Sequence, residues 1–311
     1  MTSPQPEGND MLLGIALPTY GDDAGTEAIV ETAERAERIG LDSVWTYERI
    51  LRPTAEVQYA PGGPSFPLPD FYKSAYTPLE TLAFVAARTS RVRLGTSIVN
   101  ALFHAPAILG RRFATLDQLS GGRVVVGLGQ AWMKEEFETV GVPMKRRGAG
   151  FSEYLEALRA VWAEDPVSFS GRFYEIAESD VNPKPVQVGG PPIVVGTASP
   201  AGLERAGRAG VGINLNTAPL DDLKSMITTF KNAAAGASHD PDVQPIVIRV
   251  NEEITPQPLS GDRLPLAGSP EQIAEDLQQL EALGVTEAFW SMKDTPWRDR
   301  VPAVESLLGV L

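Results

Sequence analysis

The sequence predicts an α/β chain closed into a (β/α)8 TIM barrel, with insertions after strand two and before strand five. Three observations carry this expectation. Short apolar runs alternate with helical runs, and the alternation occurs eight times. Most of the apolar runs are continuous, as in parallel strands covered on both faces. Eight βα units in a chain of 311 residues suit a closed barrel and count against an open doubly wound sheet, the rival architecture.

The elements follow in order. LLGIALP (12–18) is the first strand, and 26–40 its helix, with Ile29, Ala33, Ala36 and Ile39 on one face and Gly40 as the stop. SVWTY (43–47) is strand two. The helix from Thr77 opens with Thr, Pro and Glu at the N-cap, N1 and N3, the pattern of a capping box. VRLGTSIV (92–99) is strand three, and its helix, 106–122, closes at Gly121. RVVVGLG (123–129) is strand four. The helix of 147–162 aligns Phe151, Leu155, Leu158 and Trp162. PPIVVG (191–196), VGINLN (211–216), QPIVIRVNEEI (244–254) and EAFWSM (287–292) are strands five to eight, each followed by a helical run. Ser269, Pro270 and Gln272 repeat the capping-box pattern. Two segments exceed a bare barrel. Residues 52–76 form a Pro/Gly-rich loop whose aromatics, Tyr59, Phe66, Phe71 and Tyr72, suggest an ordered lid, and 164–190 reads as a short hairpin and loop.

Composition narrows the chemistry. With no cysteine, disulfides, thiolate nucleophiles and Cys-bound zinc are impossible. Two histidines, His104 and His239, are too few for a His-rich metal site, and no metal is expected. The formal net charge of −13 repels nucleic acid and acidic membranes, so the expected partner is a small molecule. No apolar run approaches the roughly 18 residues of a membrane span. The opening MTSPQPEGND lacks the basic start and apolar core of a secretion signal. It is expected to be a disordered tail (1–10) before a single barrel domain (11–311), in a cytoplasmic protein.

In such a barrel ligands sit at the C-terminal ends of the strands. Those ends carry Thr19 and Tyr20; Trp45, Thr46, Tyr47, Glu48 and Arg49; Ser97, Ile98 and Asn100; Gln130 and Trp132; Gly196, Thr197, Ala198 and Ser199; Asn214 and Asn216; and Trp290 with Ser291. The set is rich in amides, hydroxyls and aromatic faces and poor in nucleophiles and bases. It has no Ser/His/Asp arrangement and no facing carboxylates, which argues against glycoside hydrolysis. It suits a planar cofactor that brings its own reactivity. Ser199 as N-cap and Pro200 at N1 leave free N–H groups at the barrel mouth, a phosphate site, although the same pattern serves an ordinary capped turn. GLGQAW fails as a dinucleotide fingerprint, because its third glycine position is Trp132. Its glycines are expected to let a ring approach the backbone. Glu48 and Arg49 could equally be a surface ion pair, His104 a helix-start residue, the tryptophans core, and Lys145, Arg146 and Arg147 a solvated face unless they lie at the mouth.

Taken together, residues 77–100, 114–143 and 147–174 resemble the luciferase-like monooxygenase superfamily, and within it the bacterial coenzyme F-420-dependent oxidoreductases. The signature is LDQLSGGR followed by G-x-G and then EEF-x-x-x-G. The resemblance runs from about residue 12 to the helix SPEQIAEDL. It implies a barrel, usually dimeric, that holds a flavin or 5-deazaflavin at the strand ends. It further implies a non-proline cis peptide in a bulge of strand three, here Ser97–Ile98, supporting the ring, and the cofactor phosphate on Gly196, Thr197, Ala198 and Ser199. Sugar-phosphate dehydrogenases of the family end strand two in Asp-His and strand four in Glu. Glu48-Arg49 and Trp132 stand in those places, so that route is not expected here.

The expectation is therefore a deazaflavin-dependent hydride transfer to or from C=C, C=N or C=O. Ser97, Ile98, Asn100, Gln130, Trp132 and Gly196–Ser199 would hold the cofactor. Thr19, Tyr20, Trp45 and Trp290 would form the substrate pocket, and Glu48 and Tyr47 would handle the proton. An FMN-dependent monooxygenase uses the same cradle and is the alternative, and a non-catalytic flavin-binding barrel is the third reading.

Overall fold

The computed structural model describes residues 11–59 and 62–311; the tail expected at 1–10 lies outside the described residues. The elements in chain order are β1 (Leu12–Ala16), α1 (Thr26–Ile39), β2 (Ser43–Thr46), β3 (Val57–Gln58), β4 (Ser65–Phe66), α2 (Pro78–Ala86), β5 (Arg93–Thr96), β6 (Val99–Asn100), α3 (Pro106–Ser120), β7 (Val124–Gly129), α4 (Lys134–Thr139), α5 (Ala149–Trp162), β8 (Val167–Ser170), β9 (Glu175–Ser179), β10 (Ile193–Gly196), α6 (Pro200–Arg208), β11 (Gly212–Asn216), α7 (Leu220–Gly236), β12 (Ile246–Val250), α8 (Pro270–Glu281), β13 (Glu287–Trp290) and α9 (Trp297–Leu308).

Among the described residues, eight parallel strands run β10-β11-β12-β13-β1-β2-β5-β7, and β7 pairs back to β10, closing the barrel. The expected third strand is broken. After β5 the chain bulges at Ser97–Ile98, whose peptide bond is cis, and β6 resumes the pairing with Leu128 and Gly129 of β7. Strand seven stops at Val250, short of the expected 254. Just beyond it Glu252 accepts from Asn251 N–H and from the Thr217 hydroxyl. The segment after it is a long connection before α8, tied to that helix by Arg263 and Leu266 on Asp276, and the sequence pattern does not announce it.

Helix faces follow the apolar spacing. Ile29, Ala33 and Ala36 of α1 are buried, as are Phe151, Leu155, Leu158 and Trp162 of α5. Gly40 and Gly121 close α1 and α3 with left-handed φ of 95° and 70°. The box at Ser269 forms fully, its side chain bonded to the N3 backbone and Gln272 reaching back. The one expected at Thr77 does not form, because Thr77 makes no capping bond to the backbone. Its hydroxyl is engaged by the Glu80 carboxylate instead. Both insertions take shape. Residues 52–76 hold the hairpin β3–β4 and a 3-10 turn, Asp70–Lys73, and the second insertion holds the hairpin β8–β9. No helix among the described residues is long and apolar enough to cross a membrane.

Candidate active site

The strand ends open into a cavity of about 570 Å³. That volume lies within the usual range for a small-molecule site.

Its floor is the bulge at Ser97–Ile98. Ser97 N–H donates to Thr46 O at 2.6 Å, and Glu48 N–H donates to Ile98 O at 3.1 Å, so β2 clamps both residues. The Thr96 hydroxyl exchanges bonds with the Gly127 backbone at 2.8 and 2.9 Å. This explains the GLG run. A Cβ on Gly127 would overlap the Thr96 carbonyl, and one on Gly129 would stand 2.5 Å from Ile98 Cδ1. Gly196 makes room for the same isoleucine, 2.9 Å from its Cγ2. The glycines therefore accommodate the strand-three bulge.

One wall carries Glu48. Its Oε2 accepts from Asn100 N–H at 2.8 Å, and its Oε1 is 2.9 Å from His104 Nε2. His104 thus holds a carboxylate rather than ordering the start of α3, whose N-cap is Ala105. Tyr47 lines the same wall, with its hydroxyl buried and unpartnered. Burial pushes its phenol far above the ordinary range. The Tyr72 and Tyr20 phenols add to that rise, while Arg249 and Arg49 oppose it.

A second wall is a stack. The Arg49 guanidinium lies 4.8 Å from the Tyr72 ring and 5.7 Å from Trp132. Tyr59 of the lid stacks on Trp132 at 5.3 Å. Arg49 pairs at 3.0 Å with Glu136, with side-chain exposures of 9% and 1%. Glu136 also accepts from Ile50 N–H at 3.0 Å. Burial raises the Glu136 carboxyl's pKa; Arg49 and the Ile50 bond pull it back, and Glu48 adds to the rise. Glu48 and Arg49 are thus no surface ion pair: each faces the cavity with its own partner.

The cavity also meets a helix start. Gly196, Thr197, Ala198 and Ser199 line it at the N-terminus of α6, where free N–H groups and the helix dipole favour negative charge. Ser199 caps that helix, accepting from Gly202 N–H at 3.3 Å. Of the basic residues 145–147, Arg147 lines the same cavity. Asn214 accepts the Ser97 hydroxyl at 2.9 Å, but its Nδ2 is buried without a partner. A buried donor left unpaired costs about 1–3 kcal/mol. The orphaned Asn214 amide and Tyr47 hydroxyl, both lining this cavity, fit a ligand rich in carbonyl and ring-nitrogen acceptors, as a flavin-type ring is.

The structure brings together Glu48, Tyr47, Ser97, Ile98, Asn100, Gln130, Trp132 and Gly196–Ser199 around one cavity. It does not bring the four expected substrate residues there. Trp45 is fully buried inside the barrel, stacked on Phe289 at 4.7 Å, with Nε1 donating to Glu287 at 2.8 Å. Trp290, equally buried, faces the helix layer, with Nε1 donating to Leu266 O at 3.4 Å. Thr19 is buried, bonded to Thr46 at 3.3 Å. Tyr20 sits behind Tyr47, ring centroids 5.0 Å apart, with its hydroxyl on Ser291 at 3.2 Å. Arg249 lines the cavity and goes unnoticed in the sequence reading. A lone charge inside the apolar run PIVIRV was the available signal.

A family model described as luciferase-like monooxygenase matches residues 11–252. The chain is 32% identical over 205 residues to an F420-dependent glucose-6-phosphate dehydrogenase of Amycolatopsis mediterranei, covering 65% of this chain and 56% of that protein. It is 30% identical over 138 residues to an FMNH(2)-dependent dimethylsulfone monooxygenase of Pseudomonas putida, covering 43% of this chain and 38% of that one. The crystal structure of a monooxygenase from Streptomyces bottropensis superposes with a TM-score of 0.78 at 25% identity, covering 97% of this chain and all of the other.

Proposed function

We propose that this chain, which belongs to the luciferase-like monooxygenase family, is an oxidoreductase using the 5-deazaflavin coenzyme F-420. It would move a hydride to or from a C=C, C=N or C=O carbon of a small organic substrate. The observation that carries the reading is the single cavity joining a helix N-terminus, an orphaned amide and a buried phenol, with the relative named for F420 supporting the choice of cofactor.

When bound, the deazaflavin would supply the hydride chemistry. The remaining roles fall to this chain's own residues. Ser97, Ile98, Asn100 and Gln130 would seat the ring, with Asn214 Nδ2 donating to it. The 196–199 loop with Arg147 would hold the phosphate. The Tyr59–Trp132–Arg49–Tyr72 stack would exclude water from the opposite side, which strengthens every polar contact inside. Glu48, fixed by Asn100 N–H and His104, is placed to give or take the substrate's proton. Burial keeps Tyr47 a neutral phenol, so it can donate a hydrogen bond to a developing oxyanion but does not serve as a base.

A second reading is an FMN-dependent monooxygenase, favoured by the Pseudomonas relative and the Streptomyces structure. Direct titration separates the two. Tighter binding of the deazaflavin than of FMN is expected; equal or reversed affinity overturns the proposal, and oxygen uptake coupled to hydroxylation would establish the alternative.

A further inference from the structure

Arg249 is a cation of the cavity with no role so far. Val247 of β12 packs inside the barrel, in one cluster with Trp45 and Phe289. Side chains two apart on a strand share a face. Arg249 therefore also projects inward, one layer nearer the end of the strand at Val250, and there it lines the cavity. The interior layers of such a barrel are ordinarily apolar, and a charge taken out of water needs a partner.

The partners that Arg249 has are neutral. Its Nε donates to Asn251 Oδ1 at 3.1 Å, its Nη2 to the Ser291 hydroxyl at 3.2 Å and its Nη1 to Ser97 O at 3.4 Å. A guanidinium has five N–H donors, so these bonds leave others for a ligand. Among the described residues Arg249 makes no ion pair, whereas Arg49, lining the same cavity, is neutralised by Glu136 at 3.0 Å. Beside Arg249 stands Tyr47, its ring centroid 5.6 Å from the guanidinium carbon. The Tyr47 hydroxyl is buried without a partner, and burial keeps it protonated, hence a donor. A guanidinium and a neutral hydroxyl lining one space are what a carboxylate accepts from. In a chain of formal net charge −13 the overall field repels an acid, so a local unpaired cation decides whether one binds.

We infer that Arg249, with Tyr47, makes this cavity specific for a substrate that carries a carboxylate. The inference rests on the deazaflavin reading. There the 196–199 loop and Arg147 take the cofactor's phosphate, and the oxidised deazaflavin ring is uncharged, so the anion left for Arg249 belongs to the substrate. The substrate class narrows to organic acids whose C=C, C=N or C=O carbon exchanges the hydride.

The test is calorimetric titration of the full chain, saturated with deazaflavin, with cinnamate and with cinnamamide. The two probes share a C=C and differ in charge. Cinnamate should bind about tenfold tighter, the least expected of a hydrogen bond to a charged group. Arg249→Gln should abolish the preference and leave cinnamamide affinity unchanged, which also shows that the variant is folded. Arg249→Lys, which keeps the charge, should retain most of the preference, and Tyr47→Phe should narrow it. Equal affinity of the two probes for the unaltered chain, or a preference that survives Arg249→Gln, overturns the inference alone. Failure of the deazaflavin to bind in direct titration overturns the cofactor reading, and with it the assignment of this anion to a substrate.

Discussion

Replacing Glu136 with alanine should be among the costliest single changes near the cavity. The carboxylate, 1% exposed, receives Arg49 at 3.0 Å and Ile50 N–H at 3.0 Å. Arg49 Nε already lacks a partner, so the variant leaves a buried guanidinium with only ring faces around it. At an effective dielectric near 20, two unit charges at that separation attract by roughly 5 kcal/mol. Removing one member of a buried pair costs about 3–5 kcal/mol, because the other charge stays desolvated. An unfolding entropy of about 2.1 cal/mol/K per residue over this chain turns that loss into a fall in Tm of roughly 5–8 °C. Calorimetry with urea titration measures it. Burial raises the Glu136 carboxyl's pKa despite Arg49, so the pair as a whole is not expected to exceed an apolar replacement. The double variant Arg49→Met with Glu136→Met should therefore recover much of the loss. A Glu136→Ala cost under about 1 kcal/mol, or a double variant as unstable as the sum of the singles, would refute the reasoning.

Other expectations follow from single contacts. Glu37 accepts Ser90, Arg91 and Val92 N–H groups; burial opposes its ionisation, but these bonds prevail and its pKa is lowered in the fold. A lowered folded pKa stabilises above the unfolded value and is lost as pH falls through the folded one. Glu37→Gln should thus be less stable than the parent at pH 7, and the gap should close on acidification in melts followed by circular dichroism. Ser269→Ala should lose about 1 kcal/mol as its capping box is broken, whereas Thr77→Ala, whose hydroxyl makes no backbone cap, should change Tm far less; equal losses would contradict the cap geometry. Asn214→Ala should weaken deazaflavin binding about tenfold, the worth of roughly one hydrogen bond, and an unchanged affinity in fluorescence titration would remove Asn214 from the site.

The barrel was legible because its strands are short continuous apolar runs between amphipathic helices, and no other arrangement of eight such units closes so simply. The same continuity hid which way each strand residue points. SVWT of β2 is buried throughout, so alternation offers no contrast between barrel interior and helix layer, and Trp45 was placed at the mouth. Its neighbours held the missing signal. Trp45 is registered with Ala16 on β1 and Gly95 on β5, and a Cβ on Gly95 would collide with the indole. Two small residues at one level of adjacent strands mark a large side chain crossing the interior between them. Trp290 escaped for the reciprocal reason: Phe289 takes the inward position beside Trp45, so the next residue must face the helices.

Chemistry was less legible than topology because spatial pairs ignore sequence spacing. Where sugar-phosphate dehydrogenases of the family are expected to end strand two in Asp-His, this chain ends it in Glu48-Arg49, and from sequence the imidazole counts as lost. In space a carboxylate–imidazole contact exists all the same, Glu48 to His104 across 56 residues at 2.9 Å. The loop after β6 delivers the histidine from outside the wall, while Arg49 turns toward Glu136 and the aromatic stack. The exchange alters what faces a substrate. In an adjacent Asp-His pair the ring would share the strand end with its carboxylate; here the carboxylate lines the cavity, His104 does not, and Trp132 lines the other wall. One wall thus presents a single buried-side carboxylate and the other a wide aromatic face over an arginine already neutralised by Glu136.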